Sequence, residues 1–317
     1  MRKLKKVLKW TGLTLLALIL ILTVAVALRQ DLKFDAPYPE IKATTDSAVI
    51  ARGRELVLGP AHCISCHGPK NNEELLKAGK DIPLHGGYSF ELPFGSFYAR
   101  NITPDSTTGI GRYTDPEIAR ILRYGVKPDG SAVLDFMPFH NMSDEDLTAV
   151  ISYLRAQKPV KNEVPEHKLN PVGMALKAFL IKPVGPDGEV PKSVKRDSTI
   201  EYGRYLALNV ANCSGCHTKR GPTGEYIGQP FAGGGPMEEP GHPALTPPNI
   251  SGDSASRLMV WSESDFIARF RRGKQIPYTH MPWNSYNQMS DVDLKALYRF
   301  LKSVRAGQPA EPALAKK

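Results

Sequence analysis

Most of this 317-residue chain has little excess charge of either sign. The formal net charge is +9, but six of those charges (Arg2, Lys3, Lys5, Lys6, Lys9 and Arg29) fall in residues 1–29, which contain no acid. Only three are left for the other 288 residues, which argues against a nucleic-acid surface and makes the basic excess a topology signal. The sequence also lacks a Gly-rich nucleotide loop, a flavin fingerprint and a second metal cluster, so any substrate chemistry would belong to a partner. Alternation of apolar and polar residues is scarce, which predicts few strands and a mainly α fold. What is plentiful is glycine and proline, 27 of each, implying long irregular connections between few regular elements. A hydrophobic content of 41% with 23% charged residues excludes a disordered chain, and the length suits two domains.

The basic start precedes Trp10 to Leu28, 19 residues without a charge. As a helix these span about 28 Å, close to the hydrocarbon thickness of a bilayer. Two readings are open: an uncleaved anchor over residues 1–30, or a cleaved signal ending near Ala25-Val26-Ala27. The apolar length favours the anchor, because signal peptides normally have shorter apolar regions. Either way the expected location is the bacterial cytoplasmic membrane, N-terminus inside and everything after Asp31 exported. Residues 31–45 contain two prolines and little periodicity, and are expected to be a spacer lifting the domains off the membrane.

Only four cysteines occur, and all lie in two copies of one motif: Cys63-Ile-Ser-Cys66-His67 and Cys213-Ser-Gly-Cys216-His217. Two thiols at this spacing on a helix start can form thioethers with the two vinyl groups of one haem. The following His then lies beneath the iron as its proximal ligand. A redox dithiol would need only the two cysteines. A four-thiolate zinc site usually brings its pairs within 15–20 residues of each other, whereas 146 residues separate Cys66 from Cys213. The expected cofactors are therefore two covalently bound haem c groups, one on Cys63, Cys66 and His67 and one on Cys213, Cys216 and His217.

A sixth iron ligand is offered at matching places, by Met137-Pro138 and Met281-Pro282. Each is followed by a short loop and a helix start, Ser143 to Asp146 and Ser290 to Asp293, with a capping serine and acids in the first turn. His140 and His280 compete as ligands, but the correspondence between the halves picks out the methionines. Met142 and Met289 sit directly before the caps, where an apolar staple residue is expected. A thioether ligand favours ferrous iron and raises the reduction potential.

That correspondence is an internal repeat of about 150 residues. Gly53-Arg54 and Gly203-Arg204 each precede the first cysteine by ten residues. Asn101-Ile102-Thr103 answers Asn249-Ile250-Ser251, and the repetition makes these sequon-like triplets structural. Tyr113 to Gly125 aligns without gaps on Trp261 to Gly273, and the closing helices from Asp146 and Asp293 also align. Gly53 and Gly203 are positioned to receive Tyr153 and Phe300 from those closing helices. The organisation is thus an anchor, a spacer, a first domain over 46–157, a linker over 158–197, a second domain over 198–306 and a flexible tail over 307–317. Within the linker, Val172 to Ile181 reads as a short apolar helix, expected to fill the domain interface rather than touch the membrane surface.

Both units resemble class I cytochrome c domains. The segment Leu92 to Asp105 with Thr108-Gly-Ile-Gly111 resembles the cytochrome subunits of bacterial membrane-bound alcohol, gluconate and sorbitol dehydrogenases. The resemblance implies a redox partner: a periplasmic dehydrogenase subunit as donor, and quinone or a terminal oxidase as acceptor. The sequence departs from that family in having two haem motifs where those subunits typically have three. Two functional classes stay open. One is an electron carrier with both irons six-coordinate. The other is a dihaem enzyme, peroxidase-like or sulfur-compound-oxidising, which would need one exchangeable coordination position.

Overall fold

The computed structural model describes residues 2–221 and 224–305. Helix α1, Arg2–Leu28, buries none of its residues and is long and apolar enough to cross a membrane. The segment after it is not a free spacer, which corrects the expectation for residues 31–45. Its proline-containing backbone has few hydrogen-bond partners of its own, and the first domain supplies them. Phe34 N–H donates to the Gly130 carbonyl (2.8 Å), Ala43 N–H to Asp115 (2.8 Å) and Thr44 N–H to Ser152 Oγ (2.9 Å). The Arg120 guanidinium donates to the Ala36 carbonyl and lies 4.5 Å from the Tyr38 ring centre.

The first domain contains α2 (Ser47–Leu58), α3 (Ile64–His67), α4 (Asn72–Lys77), α5 (Asp115–Tyr124) and α6 (Asp144–Ala156). Asp46 caps α2 by accepting from the amides of Ala48 and Val49. Thr114 and Glu117 close a reciprocal capping box on α5, and Gly125 ends that helix in the left-handed region that glycine adopts without strain. The linker holds α7 (Pro171–Phe179). The second domain repeats the plan with α8 (Ile200–Tyr205), α9 (Cys213–His217), α10 (Glu263–Arg271), α11 (Trp283–Tyr286) and α12 (Asp291–Ser303). Capping boxes start α10 and α12 as they start α5. Residues 307–317, expected to be a flexible tail, lie outside the described residues.

Helix α2 crosses α6, and α8 crosses α12, at a glycine in each case. A Cβ on Gly53 would run into the Ala149 carbonyl and come within 2.7 Å of Tyr153 Cβ. On Gly203 it would meet the Ala296 carbonyl and Phe300 Cβ at 2.8 Å. The close approach buries Leu56, Leu147 and Ile151 in one domain and Leu206, Leu294 and Leu297 in the other. Each such side chain contributes on the order of 1.5–3 kcal/mol.

Few strands are present, but they form a sheet. Strands β1 (Ser89–Leu92), β2 (Gly95–Tyr98) and β3 (Lys168–Leu169) pair antiparallel in that order, with Phe90 opposite Phe97. Those two rings stack at 5.7 Å, and Phe97 is buried. Helix α7 does not fill the domain interface. It packs on this hairpin and on the end of α1, where Arg29 Nε donates to the Ala178 carbonyl (2.8 Å).

The interface is built instead by the domains themselves, and one continuous cluster of buried apolar residues runs through both. Arg52 forms a two-pronged pair with Asp146 inside the first domain (2.9 and 3.1 Å), and across the interface it reaches Tyr202 Oη (3.3 Å). Tyr202 Oη donates to Asp293 (2.8 Å), and Tyr205 Oη donates to Asp146 (2.8 Å) and accepts from the Ser143 amide (3.1 Å). Arg196 bridges Glu55 to Ser290 and Asp293. The arrangement is quasi-two-fold, because residues 52 and 202 occupy equivalent places in the repeat and meet one another.

Candidate functional site

The residue before each first cysteine lies in the left-handed region, His62 at φ 41° and Asn212 at φ 49°. This reverses the chain and starts α3 and α9 beside the helix that precedes them. Cys63 N–H donates to the Val57 carbonyl (3.0 Å), and in the second domain the Tyr286 hydroxyl holds the Ala211 carbonyl (2.7 Å). In both motifs the first cysteine is half-buried and the second exposed. Burial pushes the Cys63 and Cys213 thiols up to about 12, the opposite of the lowered value that a redox dithiol needs. No disulfide joins any two of the four cysteines. Among the described residues no three His, Cys, Asp or Glu side chains converge, so the two motifs do not share one metal ion.

Each motif histidine is oriented through one nitrogen. His67 Nδ1 lies 2.7 Å from the Arg100 carbonyl, and His217 Nδ1 lies 2.8 Å from the Pro248 carbonyl. A carbonyl can only accept, so Nδ1 carries the proton and Nε2 keeps its lone pair for a metal. Burial lowers both histidine pKa values, which keeps the rings neutral; the carbonyl contacts act in the other direction. The acceptor carbonyls are themselves held. Arg100 is tied by its guanidinium to the carbonyls of Val164 and Pro165 and to Glu166, while Pro248 is stiffened by its own ring.

Met137 and Met281 are partly buried against the cores of their domains. Their backbones adopt the same tight turn: Phe139 N–H donates to the Met137 carbonyl and Trp283 N–H to the Met281 carbonyl, both at 2.8 Å. The competing histidines differ. His140 is buried with Nδ1 at 3.1 Å from the Arg123 carbonyl and Nε2 at 2.8 Å from Asp135, so both nitrogens are engaged. His280 Nε2 faces Glu239 at 3.7 Å. Met142 and Met289 are core residues, 1% and 2% exposed. The Asn101 and Asn249 side chains fold back to accept the amide and hydroxyl of Thr103 and Ser251, a turn-forming role.

Sequence reasoning missed the arginines that brace the methionine loops. Arg123 donates to the Met142 carbonyl (2.7 Å) and Asp144 (2.6 Å), and Arg271 donates to the Met289 carbonyl (2.8 Å) and Asp291 (2.6 Å). Their equivalent places in the ungapped repeat could have found them.

The residues fit haem c. The thioether-forming thiols are protonated, spaced on one helix start and not tied up with each other, and a neutral imidazole nitrogen is presented beside them. The comparisons agree with this. The sequence pattern of the cytochrome c family matches residues 50–158 and 200–305. The cytochrome c subunit of a quinone-dependent alcohol dehydrogenase from Gluconobacter oxydans is 30% identical over 286 residues, covering 82% of this chain and 56% of the relative. The gluconate 2-dehydrogenase cytochrome c subunit of Pantoea cypripedii is 28% identical over 289 residues, with 82% and 60% covered. A dihaem c-type cytochrome of Cereibacter sphaeroides is 26% identical over 264 residues, with 80% and 85% covered. The chain thus spans little more than half the length of the dehydrogenase subunits that it matches. Two covalently bound haem c groups, one for each matched region, are its cofactors. The chain belongs to the cytochrome c family, with one family unit in each half.

Proposed function

We propose that the protein is a membrane-anchored electron carrier, taking electrons from a dehydrogenase partner and passing them to quinone or a terminal oxidase. In this reading Cys63, Cys66, Cys213 and Cys216 form the thioethers. His67 and His217 are the proximal ligands, and Met137 and Met281 the distal ones. Helix α1 crosses the bacterial cytoplasmic membrane once, with its basic end inside and both domains in the periplasm. Haem c supplies a one-electron iron couple. The chain's own residues fix the His67 and His217 tautomers, hold the methionine loops through Arg123 and Arg271, and cover the rest with apolar side chains.

The observation that carries this reading is the equivalence of the two sites. Both histidines present Nε2 in the same way, and both Met-Pro turns share one hydrogen bond at 2.8 Å. A dihaem enzyme needs one haem distinguished by an exchangeable position, and a matching Met-Pro turn in each half supports the carrier instead. The cytochrome c subunits of alcohol and gluconate dehydrogenases among its relatives support a dehydrogenase as donor.

Replacing the methionines tests the reading. Met137→Ala and Met281→Ala should each remove half of the weak red absorption of Met-ligated ferric haem. Each should open one carbon-monoxide site, and each should lower one potential by a sizeable fraction of the ~0.8 V range that axial ligands control. Wild-type protein should bind carbon monoxide poorly and should not turn over peroxide or thiosulfate. Ready carbon-monoxide binding with peroxide turnover in the wild type would overturn the carrier reading.

A further inference from the structure

Helix α7 is an apolar helix placed where the membrane surface would be. Asn170 caps it by accepting from the Gly173 amide (3.0 Å), and Pro171 starts it. Its docked side is small: a Cβ on Gly173 would collide with the Phe94 carbonyl at the turn of the β1–β2 hairpin, and Ala178 is buried. The end of α1 grips it directly. Arg29 donates to the Ala178 carbonyl (2.8 Å), Gln30 donates to the Met174 carbonyl (3.0 Å), and the Arg29 guanidinium lies 5.3 Å from the Phe179 ring centre. A segment held by residues 29 and 30 sits at the level where a span ending at Leu28 leaves the bilayer.

The other side of α7 is large and apolar. Val172 is 60% exposed, Phe179 41% and the following Leu180 64%, and Leu28 at the end of α1 is 80% exposed. Val172, Phe179 and Leu180 face solvent on or directly after a helix that Arg29 and Gln30 hold against the end of the exposed apolar α1. From His167 to Pro186 there is no acid, but Lys168, Lys177 and Lys182 are present. Apolar anchors with flanking lysines suit the boundary between acyl chains and headgroups, where lysine stems can reach up to phosphate. Such lysines also add attraction to anionic lipid.

We propose that α7 and Leu180 form a second membrane contact, lying in the headgroup–acyl boundary of the bilayer that α1 crosses and tying the first domain to that surface. The proposal rests on the reading of α1 as a membrane span. The occupant is lipid rather than a protein because α7 is held by residues 29 and 30, at the level where the span ending at Leu28 leaves the bilayer, and its exposed apolar residues are flanked by lysines without an acid.

The test uses the full-length holoprotein in nanodiscs containing phosphatidylglycerol and a phospholipid with a diazirine near its glycerol. After photolysis, digestion and mass spectrometry should find lipid adducts on α1 and on residues 172–182, with only background on Val260, an 84% exposed residue of the second domain. The variant Val172→Glu with Leu180→Glu should keep the α1 adducts and both haems while its α7 adducts fall to that background. Adducts on α1 alone would overturn the proposal and leave the span intact, whereas absence of adducts on α1 would overturn the span itself. Hydroxyl-radical protection of residues 172–180 that appears only when a second protein is added, and not on nanodisc insertion, would also overturn it.

Discussion

The two domains carry the same site and differ in almost everything that surrounds it. Both have a left-handed residue before the motif, a glycine crossing, a carbonyl holding the histidine, a Met-Pro turn and an arginine brace. The first domain adds the β1–β2 hairpin, which the linker's β3 and α7 cover, and the strapped-down segment after α1. Among the described residues the second has none of these and instead passes from α8 through a π-helical turn, Leu206–Val210, before its motif. Even the shared feature of a fixed acceptor carbonyl is reached by different means, a tethered arginine at position 100 and a proline ring at 248. The difference teaches that the site needs only a short set of local constraints. The remaining surface of each unit is free to differ, and that of the first domain binds the segment after α1 and the linker.

The comparison can be broken most severely by removing one motif. Cys213→Ser with Cys216→Ser should halve the haem measured as pyridine haemochrome. Because the buried cluster and the Tyr202–Tyr205 network span both domains, it should also lower the melting temperature of the first domain. An unchanged first-domain melt would show two independent bodies.

A methyl group at either crossing should act almost equally. Gly53→Ala and Gly203→Ala each force a Cβ into a backbone carbonyl, costing roughly 1–3 kcal/mol or more in denaturant unfolding. Tolerance of one alone would show that the crossings are not equivalent. Tyr205→Phe leaves the buried Ser143 amide without its acceptor and takes one donor from Asp146, for about 1–3 kcal/mol. Its effect should be felt in the unfolding of both domains.

The smallest effect should be confined to the first domain. Desolvation of the His167 ring, beside Phe97, lowers its pKa to about 4, and the nearby Arg100 and Lys127 cations add to this. The folded value lies below the unfolded one, so the neutral ring favours the folded state. This stability is present above about pH 6.5 and declines as pH falls toward 4. Amide exchange in β1–β3 should accelerate over that window, with no such change in the second domain. His167→Gln should remove the dependence.

What was legible in the sequence was local or repeated. The capping boxes at Thr114, Ser262 and Ser290 and the C-x-x-C-H turns are written within five residues, and Gly53 and Gly203 announce a helix crossing because the repeat shows both at once. The hairpin was hidden because its strands are four residues long, one squeezed between Gly86-Gly87 and Pro93 and the other starting at Gly95. The docking of residues 34–44 and of α7 depends on partners more than 70 residues away, such as Asp115 and Arg29. The interface network was equally remote, but it had a signal: positions 52 and 202, each next to the crossing glycine, hold an arginine and a tyrosine where an outward face would serve either. Met137 and Met281 were picked out by the repeat as candidate iron ligands, because they recur at matching places before the closing helices whereas His140 and His280 do not align.

That pairing of residue 52 with residue 202 makes the chain a fused dimer of unlike halves. In a self-paired copy of the first unit, one Arg52 would face another, and each guanidinium, already paired with its own Asp146, would meet a second donor instead of an acceptor. Tyr202 relieves this, because its hydroxyl accepts from Arg52 on one side and donates to Asp293 on the other. Divergence at one pair of duplicated positions therefore discourages the first unit from pairing with its own kind and keeps each half matched to the other half of the same polypeptide.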